Sequence, residues 1–139
     1  MTIEALHQKI FDLVGAITSF NQGYYEKPCE LSDEKVPAYA VYYNGHDNEV
    51  SSSRTNKRTH EFIVDVIYDK EDRAATQTVL SNLIDEVIDV LEDHDNTTLG
   101  GNACYTEPTN CERVEDYELA GKHYQGYRIF LPVVVNKQL

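Results

Sequence analysis

Two short stretches set imidazole beside carboxylate: His46-Asp47 and Asp93-His94-Asp95. That donor set suits Zn²⁺ or Mn²⁺. Neither stretch repeats a ligand at a metal-binding interval, as H-x-x-x-H on one helix face would. The second stands at the end of a helical pattern, where solvated charge accounts for it, and no metal is assigned to either. Nucleophilic catalysis needs a nucleophile, a base and a group that orients the base. The chain has no G-x-S-x-G, and Cys29, Cys104 and Cys111 lie in no nucleophile signature. His7 borders an apolar helical stripe, while His60 and His123 fall in strand-like sequence, so packing or surface roles account for all three. Leu99-Gly-Gly-Asn102 lacks the G-x-x-x-x-G-K-S/T pattern and follows a helix instead of opening one, so it reads as a helix exit. These residues name no catalytic group, metal or cofactor, and the expectation is a protein that is not an enzyme.

Charge is more informative. The 139 residues carry a formal net charge of −12, which argues against free nucleic acid or an anionic membrane as the partner. Against this background Asn44 to Arg58 (NGHDNEVSSSRTNKR) is a polar excursion ending in Arg54, Lys57 and Arg58, three of only 12 basic residues. A helical pattern later in the chain carries Asp85, Glu86, Asp89, Glu92 and Asp93 away from its apolar stripe. A basic loop and an acidic helix on one molecule can meet head-to-tail between neighbours, a contact that closes into rings. Independent solvation accounts for them equally. Exposed ion pairs contribute only ~0–1 kcal/mol each, so charge would steer such a contact without holding it. The ten tyrosines suit both interfaces and strands.

The elements that must position these residues follow from periodicity. Ile3, Leu6, Ile10, Leu13, Val14 and Ile17 mark an amphipathic helix to Thr18, with Thr2 placed to cap it. Residues 20–35 mix Asn, Gly, Pro and charge and read as a loop. Val36 to Tyr43 is extended, and 44–58 is expected as a flexible polar loop. Thr59 to Tyr68 has one apolar face (Phe62, Val64, Val66, Tyr68) and one mixed face (Glu61, Ile63, Asp65, Ile67). Leu80, Leu83, Ile84, Val87, Ile88 and Leu91 form the stripe of a long helix over residues 71–95. Ala103–Thr106, Cys111–Leu119 and Lys122–Val135 are candidate strands, with Pro132 expected at an edge or bulge. The fold class is therefore α+β: one domain over 1–139, with two helices on a mixed or antiparallel sheet of about four strands, in the order helix-strand-strand-helix-strand-strand. Three cysteines make no disulfide framework, and Cys104 and Cys111 are expected as a reduced pair. No signal peptide opens the sequence, and no stretch reaches the ~18 apolar residues of a membrane span. A soluble protein of a cytoplasm is expected.

This order of elements, with HEFIVDVIY (60–68) and AATQTVLSNLIDEVIDVL (74–91) at its centre and a Leu-Gly-Gly exit, resembles the tail terminator proteins of long-tailed bacteriophages. The resemblance covers nearly the whole chain and rests on element order, length and character. It implies a virion structural protein of the tail and neck, assembled in the bacterial host cytoplasm. Its expected partners are further copies of itself in a ring, typically a hexamer, the tail tube protein below and the head-side connector above. The ring would stop tube polymerisation, with DNA only as cargo through the lumen. Arg54, Lys57 and Arg58 with Asp85, Glu86, Asp89, Glu92 and Asp93 are then the expected subunit contact. A head-completion protein of the same joint, or a small cytoplasmic α+β protein-binding module, are the alternatives.

Overall fold

The structure is a computed structural model that describes residues 3–31, 35–50, 55–69, 73–93, 99 and 105–138. Eight elements follow in order: α1 (Ile3–Gly15), β1 (Gln22–Tyr24), β2 (Ala38–Val50), β3 (Thr55–Asp69), α2 (Arg73–Glu92), β4 (Tyr105–Thr106), β5 (Asn110–Leu119) and β6 (Lys122–Gln138). The fold is α+β with one mixed sheet. The sheet order is β1-β2-β3-β6-β4, and β5 also pairs with β6. β1 runs parallel to β2, and the other pairings are antiparallel. No described helix is long and apolar enough to cross a membrane.

The helices form where their periodicity predicts, and the stripe residues are the ones that bury. Leu6, Ile10 and Val14 of α1 and Leu80, Leu83, Ile84, Val87 and Leu91 of α2 pack on Val41, Phe62, Val64, Val66, Ile129 and Leu131 of the sheet. Ile3, expected on this stripe, is exposed. Thr2, Gly100 and Gly101 lie outside the described residues. Leu99 takes the left-handed turn itself, with φ of 48°, because its side chain belongs to the same buried core. A second, smaller core covers the opposite sheet face, where Leu31, Val36 and Ala38 meet Ile67, Tyr117, Leu119 and Tyr124. The two faces of β3 thus bury on different cores, which is why Phe62 to Ile67 are buried without a break.

Four expectations change. The sheet has six strands where about four are expected. The strand without a counterpart among the candidates is short β1, inside the expected 20–35 loop. The stretch 44–58, expected as a polar loop, is strand wherever it is described: β2 continues to Val50 and β3 begins at Thr55, paired from His46↔His60 to Val50↔Asn56. Main-chain hydrogen bonds form a ladder whatever the polarity of the side chains. The ribbon gains a third strand, since β6 pairs β3 to Thr55↔Gln138.

Pro132 is neither at an edge nor at a recorded bulge. β6 lies between β3 on one side and β4 with β5 on the other. The Pro132 carbonyl points to the β4 side, where Thr106 Oγ1 donates to it at 2.8 Å. A residue's N and O share a side in a strand, so the missing N–H faces the gap between Thr106↔Val133 and Asn110↔Phe130. Gly126 is also required by geometry. A Cβ there would lie 2.0 Å from the Val66 carbonyl oxygen on the neighbouring strand, closer than any side chain tolerates.

Candidate functional site

Three groups of polar side chains are held by this frame. The deepest is built on Asp65, in the middle of β3 and fully buried. Tyr42 and Tyr117 each donate a hydroxyl to Asp65 Oδ2 at 2.8 Å. Arg128 donates Nε to Oδ1 at 2.9 Å and Nη2 to Oδ2 at 3.3 Å. The four donors arrive from β2, β5 and β6, and register explains their meeting. Asp65 stands opposite both Ala40 and Arg128, with Tyr42 two residues along from Ala40 on the same face. Burial pushes both tyrosine hydroxyls well above their ordinary pKa, and the Asp65 charge adds to it. The hydrogen bond to Asp65 raises Arg128 further. A buried carboxylate that accepts four hydrogen bonds, among neighbours that do not titrate near neutrality, is a fastening between strands, unsuited to proton transfer.

The second group lies on the helix side, at the base of the ribbon. A one-residue register shift between Tyr43 and His46 bulges β2, and Gly45 carries it with φ of 111°. The bulge keeps Tyr43 and His46 on one face, beside His60. The Tyr43 hydroxyl touches His46 Nδ1 at 3.2 Å and His60 Nδ1 at 2.9 Å. It can donate to one ring while accepting from the other. Burial, helped by His46 and Arg58, lowers the His60 pKa below its ordinary 6.5. Tyr43 is raised by burial, which Arg58 opposes. Two imidazoles on one hydroxyl can hold or pass a proton. The cationic Arg58 beside them disfavours a metal ion.

The third group is at the β5–β6 turn. His123 Nδ1 lies 2.7 Å from Asp116 Oδ1, both side chains about half exposed, and Glu118 is the cross-strand partner of His123. Their ligand atoms fall within 4.8 Å of one another. An exposed hydrogen-bonded His–Asp pair with a neighbouring acid accounts for the arrangement.

The residues expected from sequence distribute differently. Asp85, Glu86, Asp89, Glu92 and Asp93 are all exposed, on α2 or just after it. Glu86 also accepts from the Ser19 hydroxyl at 3.2 Å. Arg58 is half-buried on β3, close enough to Tyr43 and His60 to move their pKa values. Expected at the end of a polar loop, it stands within a strand near the ribbon's base. Arg54 lies outside the described residues, as do His94 and Asp95, and of Lys57 the backbone alone is described. Cys29 and Cys111 are free and exposed, and Cys104 lies outside the described residues.

Sequence reasoning missed the Asp65 group and the Tyr43 bridge. The first left a signal: a lone Asp in FIVDVIY and a lone Arg in YRIFLPVVV, single opposite charges within apolar strands.

No family model and no curated protein matches the chain. Among solved structures it is similar to a chain of the virion of a native gene transfer agent (GTA) particle. That likeness has 14% sequence identity, spans 94% of this chain and 95% of the other, and has a TM-score of 0.49.

Proposed function

We propose that this chain is a virion structural protein of the tail-terminator kind, a subunit of a ring that caps the tail tube and meets the head-side connector. The observation that carries this reading is the ribbon. β2, β3 and β6 run on past Val41, His60 and Val133, the last buried residues described on each. A three-stranded extension of a sheet has little use in an isolated small domain and an evident use against a neighbour. The exposed carboxylates of α2 supply a second surface, and Arg54, Lys57 and Arg58 of an adjacent subunit supply its counter-charge. The mechanism is geometric: one ring face matches the tube, and the other does not propagate it.

Two measurements test this. Particles assembled without the protein should carry tubes of uncontrolled length by electron microscopy, and tubes of normal length would overturn the reading. Reversing the charges at Arg54, Lys57 and Arg58 together should lower oligomer mass by light scattering with the circular dichroism spectrum unchanged. An unaltered mass would remove these residues from the contact.

A further inference from the structure

Beyond Ala40, β2 is paired by strand on one side only among the described residues. β1 covers its outer edge at Ala38 to Ala40. The phase of that edge is fixed by Asn21, whose N–H donates to the Pro37 carbonyl at 2.8 Å. Odd-numbered residues therefore point outward up to Tyr43. The next outward carbonyl, that of Val41, accepts from His7 Nε2 at 2.6 Å, with the imidazole stacked on Tyr25 at 3.7 Å. A histidine side chain thus ends the covered part of the edge. The one-residue bulge then reverses the phase, so the outward main-chain groups become those of His46, Asn48 and Val50.

The other end of the sheet mirrors this. β5 pairs with β6 along one side and is regular from Asn110 to Val114, before its own bulge ahead of Tyr117. Asn110, Cys111, Glu112 and Arg113 are exposed. Among the described residues, each edge without a strand partner is thus a five-residue ladder bounded by a bulge: 46–50 in β2 and 110–114 in β5. Neither β2 beyond Val41 nor β5 contains lysine or proline, two residues that blunt a strand edge against pairing.

We propose that copies of this chain join edge to edge, with His46–Val50 of one subunit pairing Asn110–Val114 of the next. The occupant is a second copy because the two ladders stand at opposite ends of one sheet. Each copy therefore offers one and receives one, a heterologous contact that closes as a ring. The inference rests on the ring reading above and names the element that makes the ring. Main-chain hydrogen bonds hold the contact, and the ion pairs steer it.

Asn48→Pro tests this. It removes an outward N–H and leaves the ladder to β3 intact, because Asn48 faces Arg58 as a pair that exchanges no main-chain bonds. Sedimentation from micromolar to millimolar protein should show rings for the wild type and for Asn48→Ala. Asn48→Pro should give the mass of one subunit, with an unchanged circular dichroism spectrum. Rings that persist in Asn48→Pro overturn edge pairing and leave the ring reading standing. A wild type that stays monomeric throughout overturns both. Should Asn48→Pro fail to fold, hydrogen exchange on the wild type decides. The amides of His46, Asn48 and Val50 must gain protection as concentration rises, and fast exchange in the assembled ring refutes the contact.

Discussion

The Asp65 group and the Tyr43 group lie on opposite faces of the same sheet and are built from similar parts, a tyrosine hydroxyl and titratable partners. They behave differently because of what surrounds the hydroxyl. Around Asp65, four donors converge on one acceptor group from three other strands. The two tyrosine hydroxyls keep their protons well above neutrality, and removing Asp65 leaves the Arg128 guanidinium without its carboxylate. Around Tyr43, one hydroxyl serves two imidazoles, and the proton count can change by one while the hydrogen-bond pattern survives. The first group fastens the body of the sheet; the second sits where the body gives way to the ribbon. Burial of polar groups therefore does two jobs here, and completeness of pairing decides which.

That contrast can be broken by substitution. Asp65→Ala leaves the Arg128 guanidinium and the Tyr42 and Tyr117 hydroxyls without their acceptor, and should cost about 3–5 kcal/mol. Urea unfolding followed by circular dichroism measures it, and a loss under 1 kcal/mol would mean that the cluster behaves as a surface pair.

A smaller effect separates the groups by pH. Unfolded His60 takes up a proton near pH 6.5, while the folded ring, its pKa lowered by burial, stays neutral to lower pH. The unfolded chain then binds more protons, so His60's contribution is intact above pH 6.5 and is lost as pH falls below it. One such group gives a slope of at most about 1.4 kcal/mol per pH unit. His60→Phe should flatten the stability curve between pH 6.5 and the folded value, and an unchanged slope would show that His60 does not titrate differently on folding. The smallest effect is expected for Tyr43→Phe, about 0.5–1.5 kcal/mol for a hydroxyl shared by two imidazoles. A loss as large as that of Asp65→Ala would erase the distinction between the groups.

Much of the body was legible in the sequence. The stripes of α1 and α2 and the two-faced pattern of β3 report burial, and burial is what hydrophobic periodicity encodes. The ribbon was not legible, because a strand held by its main chain needs no apolar alternation, and NGHDNEVSSSRTNKR reads as a loop by composition. β1 was hidden for a related reason: three residues, QGY, are too few to show a period. The candidate contact residues divide the same way. The acids of α2 were placed by helical spacing and are exposed as expected, whereas Arg58 was assigned to a loop and stands on a strand. The Asp65 group depends on register between strands 23 to 63 residues apart, which no local pattern contains.

β6 has a kinetic consequence. It runs 17 residues, roughly 55 Å at strand spacing, and β3, β4 and β5 all hydrogen-bond to it. Every one of those partners is made earlier on the ribosome. The nascent chain therefore waits with β3 half-paired and β4 and β5 unpaired until the final strand emerges, and closure of the sheet is a late, long-range event. A chain cut short before Lys122 lacks the strand on which the other three converge. Such a fragment keeps at most the β1-β2-β3 pairings and never completes the sheet.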